Sequence, residues 1–317
     1  MNQATALAHP NIALVKYWGK RASENNIPAT PSLSITLDTL VTRTSVRESE
    51  QDQIEINGSV VSDTKIEDFL VRLRAAYSLP PLAIESSSNF PTSAGLASSA
   101  SGFAGLLTAI DTAFGLDMNA SERSMWARRG SGSAARSIFG GFASLEEENG
   151  HWCARGVLPR EAWPLKVVIA ITSETAKSVG STAGMERSEK TSPYYGAWTE
   201  STRLDHAAGL SAVSRQDFSR LGSIAESSCL KMHALMLSSQ PPLFYWNGAT
   251  VETIAAVREL QGGGVRVFFT VDAGPQVKAI CQENAASVVA ERLASVPGVL
   301  RTLVCGLGPG AYVDQPG

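Results

Sequence analysis

Cysteine is scarce and unpatterned in this chain. Cys153, Cys229, Cys281 and Cys305 are scattered through 317 residues, with no C-x-x-C pair and no His/Cys cluster at metal-ligand spacing, so neither a disulfide framework nor a zinc site is indicated. An excess of one charge is also missing. Lys and Arg total 27 against 30 Asp and Glu, a net charge of −3, which provides no general basic field for nucleic acid or an anionic membrane. Any anion site must be local. No apolar run is long enough to cross a bilayer, and the first twenty residues, MNQATALAHPNIALVKYWGK, lack the charged start and apolar core of a signal peptide, so a cytoplasmic protein is expected. Repeats of fixed period and low-complexity tracts are absent too. The remainder is ordinary globular material, 44% hydrophobic and 18% charged, enough for one large domain or two ordinary ones; two are expected.

The most informative stretch is 89–102, NFPTSAGLASSASG. It follows a strand end and a Ser-rich turn and opens directly into an apolar helix, FAGLLTAIDTAFGL. Glycine and alanine let a ligand approach the main chain, and the first turn of a helix presents unpaired N–H groups at the positive end of its dipole. Those are the requirements of a phosphate cradle, and Ser98, Ser99 and Ser101 add hydroxyls for phosphate oxygens or a hard cation such as Mg²⁺. No G-K-[ST] follows, so this is not a Walker loop. Close packing of a small-residue helix face explains the same stretch.

Along the rest of the chain, residues 4–16 and 32–47 are β-prone, and 53–61 forms a further strand segment with a turn at Asn57-Gly58. Lys16, Tyr17, Lys20 and Arg21 cluster beside apolar residues, which suits a ligand role as well as a solvated face. IEDFLVRLRAAYSL has the apolar spacing of a helix covering a sheet, and Asn119 caps another helix that stops at Gly130. A second small-residue nest follows in RRGSGSAARSIFGGF, where Ser131, Gly132 and Ser133 precede Arg136 by about one turn. A guanidinium so placed can take a carboxylate or phosphate through paired hydrogen bonds.

Trp163-Pro164 reads as a junction, dividing the chain into 1–163 and 164–317. Beyond it lie an apolar strand, LKVVIAIT, and a polar stretch carrying Lys177, Ser181 and Thr182, suited to a loop that closes on a ligand. Long helices fill 200–238, Pro241-Pro242 breaks them, and helix resumes over 251–260. Asp272 ends an apolar strand ahead of Ala-Gly-Pro and a further helix. It is either a catalytic base at a strand mouth or, as is more usual there, a helix cap. The final LGPGAYV is either a tight turn or a place where backbone meets backbone.

With these motifs in view, the chain resembles the diphosphomevalonate decarboxylase family of the GHMP kinase superfamily, which includes galactokinase, homoserine kinase, mevalonate kinase and phosphomevalonate kinase. The likeness rests on NIALVKYWGKR at 11–21, SLSITL at 32–37, NFPTSAGLASSAS at 89–101, RRGSGSAARSIFGGF at 128–142, STAGM at 181–185 and VDAGP at 271–275. These run in family order along nearly the whole chain. The resemblance implies a two-domain α+β GHMP-kinase fold: an N-terminal S5-like α/β domain that binds ATP, a C-terminal ferredoxin-like α+β domain, and an active site in the cleft between them. It also implies a reaction. ATP and Mg²⁺ phosphorylate the 3-hydroxyl of mevalonate 5-diphosphate, and loss of that phosphate and of CO₂ gives isopentenyl diphosphate.

By resemblance, Asp272 stands at the 3-hydroxyl as base or orienter, which reverses the reading as a cap. Arg136 holds the carboxylate, steadied by Asn11. Tyr17, Lys20, Ser131, Gly132, Ser133, Ser181 and Thr182 receive the diphosphate. Pro91, Ser93, Ala94, Gly95, Leu96, Ala97, Ser98 and Ser99 form the nucleotide loop, with Ser99 the Mg²⁺ contact. A homodimer is implied, with no nucleic-acid or membrane partner. Two departures bear on the phosphate end of the substrate: Ala29-Thr30-Pro31 precedes SLS where relatives often have asparagine, and Thr182 stands where some bacterial relatives carry arginine. The superfamily's usual Glu ligand for Mg²⁺ has no evident counterpart. The alternatives are a phosphomevalonate decarboxylase, a mevalonate-3-kinase-like enzyme that stops at the phosphorylated product, and an inactive nucleotide-binding paralogue.

Overall fold

The computed structural model describes residues 2–22, 24–91, 95–175 and 177–314. In the first half, local signals set the helix boundaries. Helix α1 (Thr64–Ala76) starts where the Asp63 side chain accepts from the backbone N–H groups of Lys65 and Ile66, and it buries Phe69, Leu70 and Leu73. Helix α2 (Ser98–Phe114) ends at Gly115, which is left-handed with φ 59°. Asn119 and Glu122 form a capping box at the start of α3 (Ala120–Gly130), and the short α4 (Ala134–Ser137) follows.

These helices cover a six-stranded sheet ordered Tyr312–Val313, Gln3–Ala8, Thr42–Glu48, Leu82–Ser88, Gln53–Ile56, Ser59–Val60. All its pairs are antiparallel except Gln53–Ile56 on Leu82–Ser88. A second sheet, His151–Leu158, Phe142–Glu148, Ser32–Thr36, Asn11–Val15, forms the inner wall.

The second half holds an antiparallel sheet ordered Val267–Val271, Val277–Gln282, Leu165–Ile171, Arg301–Cys305. Its helices are α5 (Ser181–Thr191), α6 (Tyr195–Ser214), α7 (Phe218–Leu237), α8 (Gly248–Gly262) and α9 (Ala286–Ala294). Alternation along Leu165–Ile171 sends Val167, Ile169 and Ile171 into a core shared with Ile12, Leu33, Ile35 and Phe142 of the first half. Val168 and Ala170 face Ala256, Val257, Val289 and Leu293 of α8 and α9. The two halves are therefore joined by one apolar core beneath the cleft.

Three readings from sequence change in the structure. Residues 277–282, expected as helix after Ala-Gly-Pro, form a strand with five of its six residues buried; a short apolar run cannot be told from a buried helix by periodicity alone. Asp272 therefore has no helix to cap. The polar stretch expected as a loop is helical from Ser181 onward. At the C-terminus, the tail crosses back to the first half: Tyr312 and Val313 pair with Leu7 and Ala6. A Cβ on Gly308 would lie 2.0 Å from the Leu37 carbonyl oxygen, so 306–310 is a close backbone approach rather than an ordinary turn.

Candidate active site

Both halves line one cleft of about 580 Å³. The strand Asn11–Val15 delivers Lys16 and Tyr17 to its floor, the N-terminus of α2 and the 131–136 nest form one wall, and α5 and the tip of Val267–Val271 form the other. Asp272 and Arg136 face this same space.

Arg136 is 1% exposed, and its planar fork is held from behind. Nε and Nη2 donate to Asn11 Oδ1 at 3.2 and 3.1 Å, and Nη1 donates to Ser32 Oγ. Asn11 in turn donates through Nδ2 to the Ser133 carbonyl at 2.9 Å and to Ser137 Oγ at 2.8 Å. Burial pulls the guanidinium down to about 10, while Tyr17 and Asp272 act in the opposite sense.

Asp272 keeps 23% of its side chain exposed, on the cleft side. Lys16 Nζ lies 2.5 Å from Oδ1 and Lys278 Nζ lies 3.1 Å from Oδ2. The second contact is an ion pair without hydrogen-bond alignment. Burial alone would raise this carboxyl, but the two ammoniums outweigh it and hold Asp272 well below the usual carboxylate range.

The nucleotide loop enters α2 through two residues in the left-handed region. Gly95 has φ +80° and Ala97, at the N-cap position, has φ 56° and supplies no side-chain cap bond itself, and Ser98 and Ser99 of the first turn line the cleft. A run of hydroxyls joins this loop to the second nest: Ser99 Oγ lies 3.1 Å from Ser131 Oγ, which lies 3.2 Å from Ser133 Oγ. Tyr17 Oη points at Gly132, where a Cβ would sit 2.3 Å away. It is buried without a hydrogen-bond partner among the described residues, and burial pushes it up to about 12. Lys20 Nζ lies 3.4 Å from Thr182 Oγ1, and Lys177 Nζ donates to Ser181 Oγ at 2.7 Å and the Ala273 carbonyl at 3.2 Å. Burial lowers both lysines.

Most of the residues singled out from sequence thus meet in one place: Asn11, Tyr17, Lys20, Gly95, Ala97, Ser98, Ser99, Ser131, Gly132, Ser133, Arg136, Ser181, Thr182 and Asp272 all line the cleft. Pro91 is not among its lining residues, and Leu96 turns into the shared core at 1% exposure. Ser93 and Ala94 lie outside the described residues. Arg21 leaves the Lys16 cluster and pairs with Glu147 at the surface. Arg128 is structural, donating to the Trp152 and Asn25 carbonyls. Lys65, Arg72 and Arg129 join the cleft lining from α1 and α3, and Lys278 was not anticipated at all. A lone lysine inside the apolar run VKAIC was the signal for it.

Mg²⁺ fits this donor set only as an ion carried on phosphate. Among the described residues no three His, Cys, Asp or Glu side chains gather to hold a metal, and Asp272 is already engaged by two lysines. Mg²⁺ takes few protein ligands when substrate phosphates and water complete its shell, a role the Ser99 hydroxyl suits. A second groove of about 730 Å³ runs between α7 and α8. Two of its cations are already spent on carboxylates, Arg258 on Glu226 and Lys231 on Asp205.

A two-domain α+β fold, with a helix N-terminus and a forked cation opening onto one interdomain cleft, defines the GHMP-kinase type. Residues 8–154 match the diphosphomevalonate decarboxylase-like N-terminal domain, and residues 167–301 match the mevalonate 5-diphosphate decarboxylase C-terminal domain. The diphosphomevalonate decarboxylase of Candida albicans is 34% identical over 98% of this chain and 97% of its own, and that of Debaryomyces hansenii is 37% identical over 90% and 81%. A chain designated MDDEF, solved in complex with MVAPP, AMPPCP and magnesium, superposes with TM-score 0.92 at 35% identity over 99% of both chains. Mevalonate diphosphate decarboxylase from Staphylococcus aureus gives 0.92 at 33% over 99% and 98%. The chain belongs to the diphosphomevalonate decarboxylase family.

Proposed function

We propose that this protein catalyses the ATP-dependent decarboxylation of mevalonate 5-diphosphate to isopentenyl diphosphate, releasing ADP, phosphate and CO₂. The observation that carries this reading is the convergence of Arg136, Asp272 and the N-terminus of α2 on one cleft. A tertiary hydroxide is a poor leaving group, so the hydroxyl must be phosphorylated; loss of that phosphate leaves positive charge at the third carbon, into which the carboxylate's C–C electrons flow.

Each part has a residue suited to it. The α2 N-terminus, Gly95 to Ser99, receives the ATP phosphates. Mg²⁺, when bound, neutralises charge on the transferring phosphate, with Ser99 as its protein contact. Arg136 has three N–H contacts committed to Asn11 and Ser32, and its remaining donors face the cleft for the substrate carboxylate. Asp272 receives the 3-hydroxyl proton in a hydrogen bond. A carboxylate clamped by two ammoniums is a weak base, so its work is to aim the hydroxyl oxygen at the phosphorus, and the hydroxyl proton leaves to an oxygen of the transferred phosphate, the stronger base of the two. Tyr17, Lys20, Ser131, Gly132, Ser133, Ser181 and Thr182 form the pocket for the 5-diphosphate. The Lys20 to Thr182 contact occupies the place where an additional cation is lacking.

A kinase that stops at the phosphorylated product is disfavoured, because it needs no carboxylate held for fragmentation. The test is incubation with ATP, Mg²⁺ and either mevalonate 5-diphosphate or mevalonate 5-phosphate, following CO₂ and ADP. Faster CO₂ release from the diphosphate supports this reading, and faster release from the monophosphate replaces it.

We place the domain boundary at Trp163, giving an ATP-binding unit over 1–163 and a second unit over 164–317 whose tail crosses back. The family likeness also leads us to a homodimer in the cytoplasm. Among the described residues no helix is long and apolar enough to cross a membrane, and sedimentation of the purified chain checks the dimer.

A further inference from the structure

One charged side chain behind the cleft is wholly buried and has no part in the chemistry above. Lys278 lies within the strand Val277–Gln282, paired with Ile169 on one side and Thr270 on the other, and its side chain has no exposure at all. An ammonium buried this way is costly unless it has partners. Its partners are the Gly95 carbonyl oxygen at 2.9 Å and Asp272 Oδ2 at 3.1 Å. The first belongs to the nucleotide loop of the N-terminal half, and the second is the strand-tip carboxylate of the C-terminal half.

Backbone contact reinforces the link. A Cβ on Gly95 would lie 3.0 Å from Gly274 Cα, so the nucleotide loop rests directly on the turn that follows Asp272. We propose, building on the function inferred above, that Lys278 is a positioning residue that couples the nucleotide loop to Asp272. Its ammonium holds the Gly95 carbonyl in place for the loop and fixes Oδ2 so that Oδ1, on Lys16, and the carboxylate plane present one face to the 3-hydroxyl. Loop and carboxylate then assemble as one unit across the domain junction.

The groups that face Asp272 from each packed element are Lys16 at the end of the inner strand, Lys278 on the adjacent strand, Lys177 ahead of α5, Arg136 on α4, and His233 and Cys229 on α7. Lys278 is one of the two that touch the carboxylate. Without it, Asp272 loses a cation and binds a proton more readily, so activity acquires a dependence on acid that the parent enzyme lacks.

A purely structural buried ion pair behaves differently. Removing one partner of a buried pair destabilises most where it leaves the other charge uncompensated; Asp272 keeps Lys16 at 2.5 Å, so Lys278→Met leaves no carboxylate without a cation. The experiment compares the parent with Lys278→Met and Lys278→Arg, measuring kcat, KM for both substrates, the pH profile of kcat, Tm, and affinity for a fluorescent ATP analogue. In Lys278→Met, with Tm held, we expect kcat to fall about a hundredfold, the order seen when one preorganised electrostatic partner is removed. Nucleotide affinity should fall about tenfold, KM for mevalonate 5-diphosphate should stay within about threefold, and kcat should decline on the acid side. Lys278→Arg should recover part of both losses. Unchanged kcat contradicts the link to Asp272, and unchanged nucleotide affinity contradicts the link to the loop; either overturns the proposal. So does loss of folding in both variants, which would assign Lys278 to structure. A parent that releases no CO₂ indicts the functional reading instead.

Discussion

Burial would push the Asp272 carboxyl upward, and two ammoniums at 2.5 and 3.1 Å reverse that sign. The same contacts decide which variant is informative. Asp272→Ala would strand two buried ammoniums, a change that costs several kcal/mol of stability, about 3–5 for a broken buried pair. Asp272→Asn keeps the shape, and we expect it to lower kcat by about a thousandfold with ATP affinity little altered, because the lost interaction acts mainly in the transition state. Steady-state kinetics with both substrates checks this, and near-parent kcat would remove Asp272 from the chemistry. For Arg136→Lys, one ammonium cannot reproduce donation from Nε and Nη2 to Asn11 together with a grip on the substrate carboxylate. We expect kcat/KM to drop about a hundredfold or more, and kinetics close to the parent would argue against carboxylate binding. Composition and spacing left Asp272 between cap and catalyst, and the family resemblance favoured the second. What removes the cap is non-local: the following segment is a strand, so there is no helix to cap, and the two lysines beside the carboxylate come from 256 and 6 residues away.

Among the elements, the turn into α2 is the one proposed to receive the ATP phosphates. Gly95 holds φ +80° against the backbone of Gly274, so Gly95→Ala meets both an unfavourable conformation and a 3.0 Å contact with main chain that cannot yield. We expect nucleotide affinity to fall at least about tenfold and stability by about 1–2 kcal/mol, read by ATP-analogue titration and thermal unfolding. A variant that binds ATP like the parent would show that the loop is not the phosphate cradle. A helix end that acts on its own turn is legible: Asn119 reads as a cap in the sequence and caps α3 in the fold, and Asp63 and Gly115 act in the same local way. The opposite holds for 277–282, whose Lys, Ala and Gln suit a helix but whose neighbours on both sides are strands. Likewise α5 has few apolar residues, with only Gly184, Met185 and Ser188 buried, and its polar composition read as a loop.

The molecule as a whole carries four histidines, and burial lowers three of them, His9, His206 and His233, the last to about 3. The folded chain keeps these rings neutral where the unfolded chain charges them near the ordinary 6.5. Stability is therefore full above about pH 6.5 and is lost as pH falls from there toward 3, at up to about 1.4 kcal/mol per pH unit for each proton taken up only on unfolding. Urea midpoints measured from pH 7.5 down to 5 should fall steadily, and a flat series would contradict this. The family motifs are spread along the chain and meet only in the fold, where most of their residues line one cleft. The tail was not placed, since its strand belongs to a sheet begun some three hundred residues earlier. The central claim is that one cleft holds a nucleotide phosphate and a carboxylate for coupled transfer and fragmentation. Its most direct test is the purified chain with ATP, Mg²⁺ and mevalonate 5-diphosphate, with CO₂ and ADP counted together. Equal amounts of the two are expected, and ADP formed without CO₂ would contradict the account.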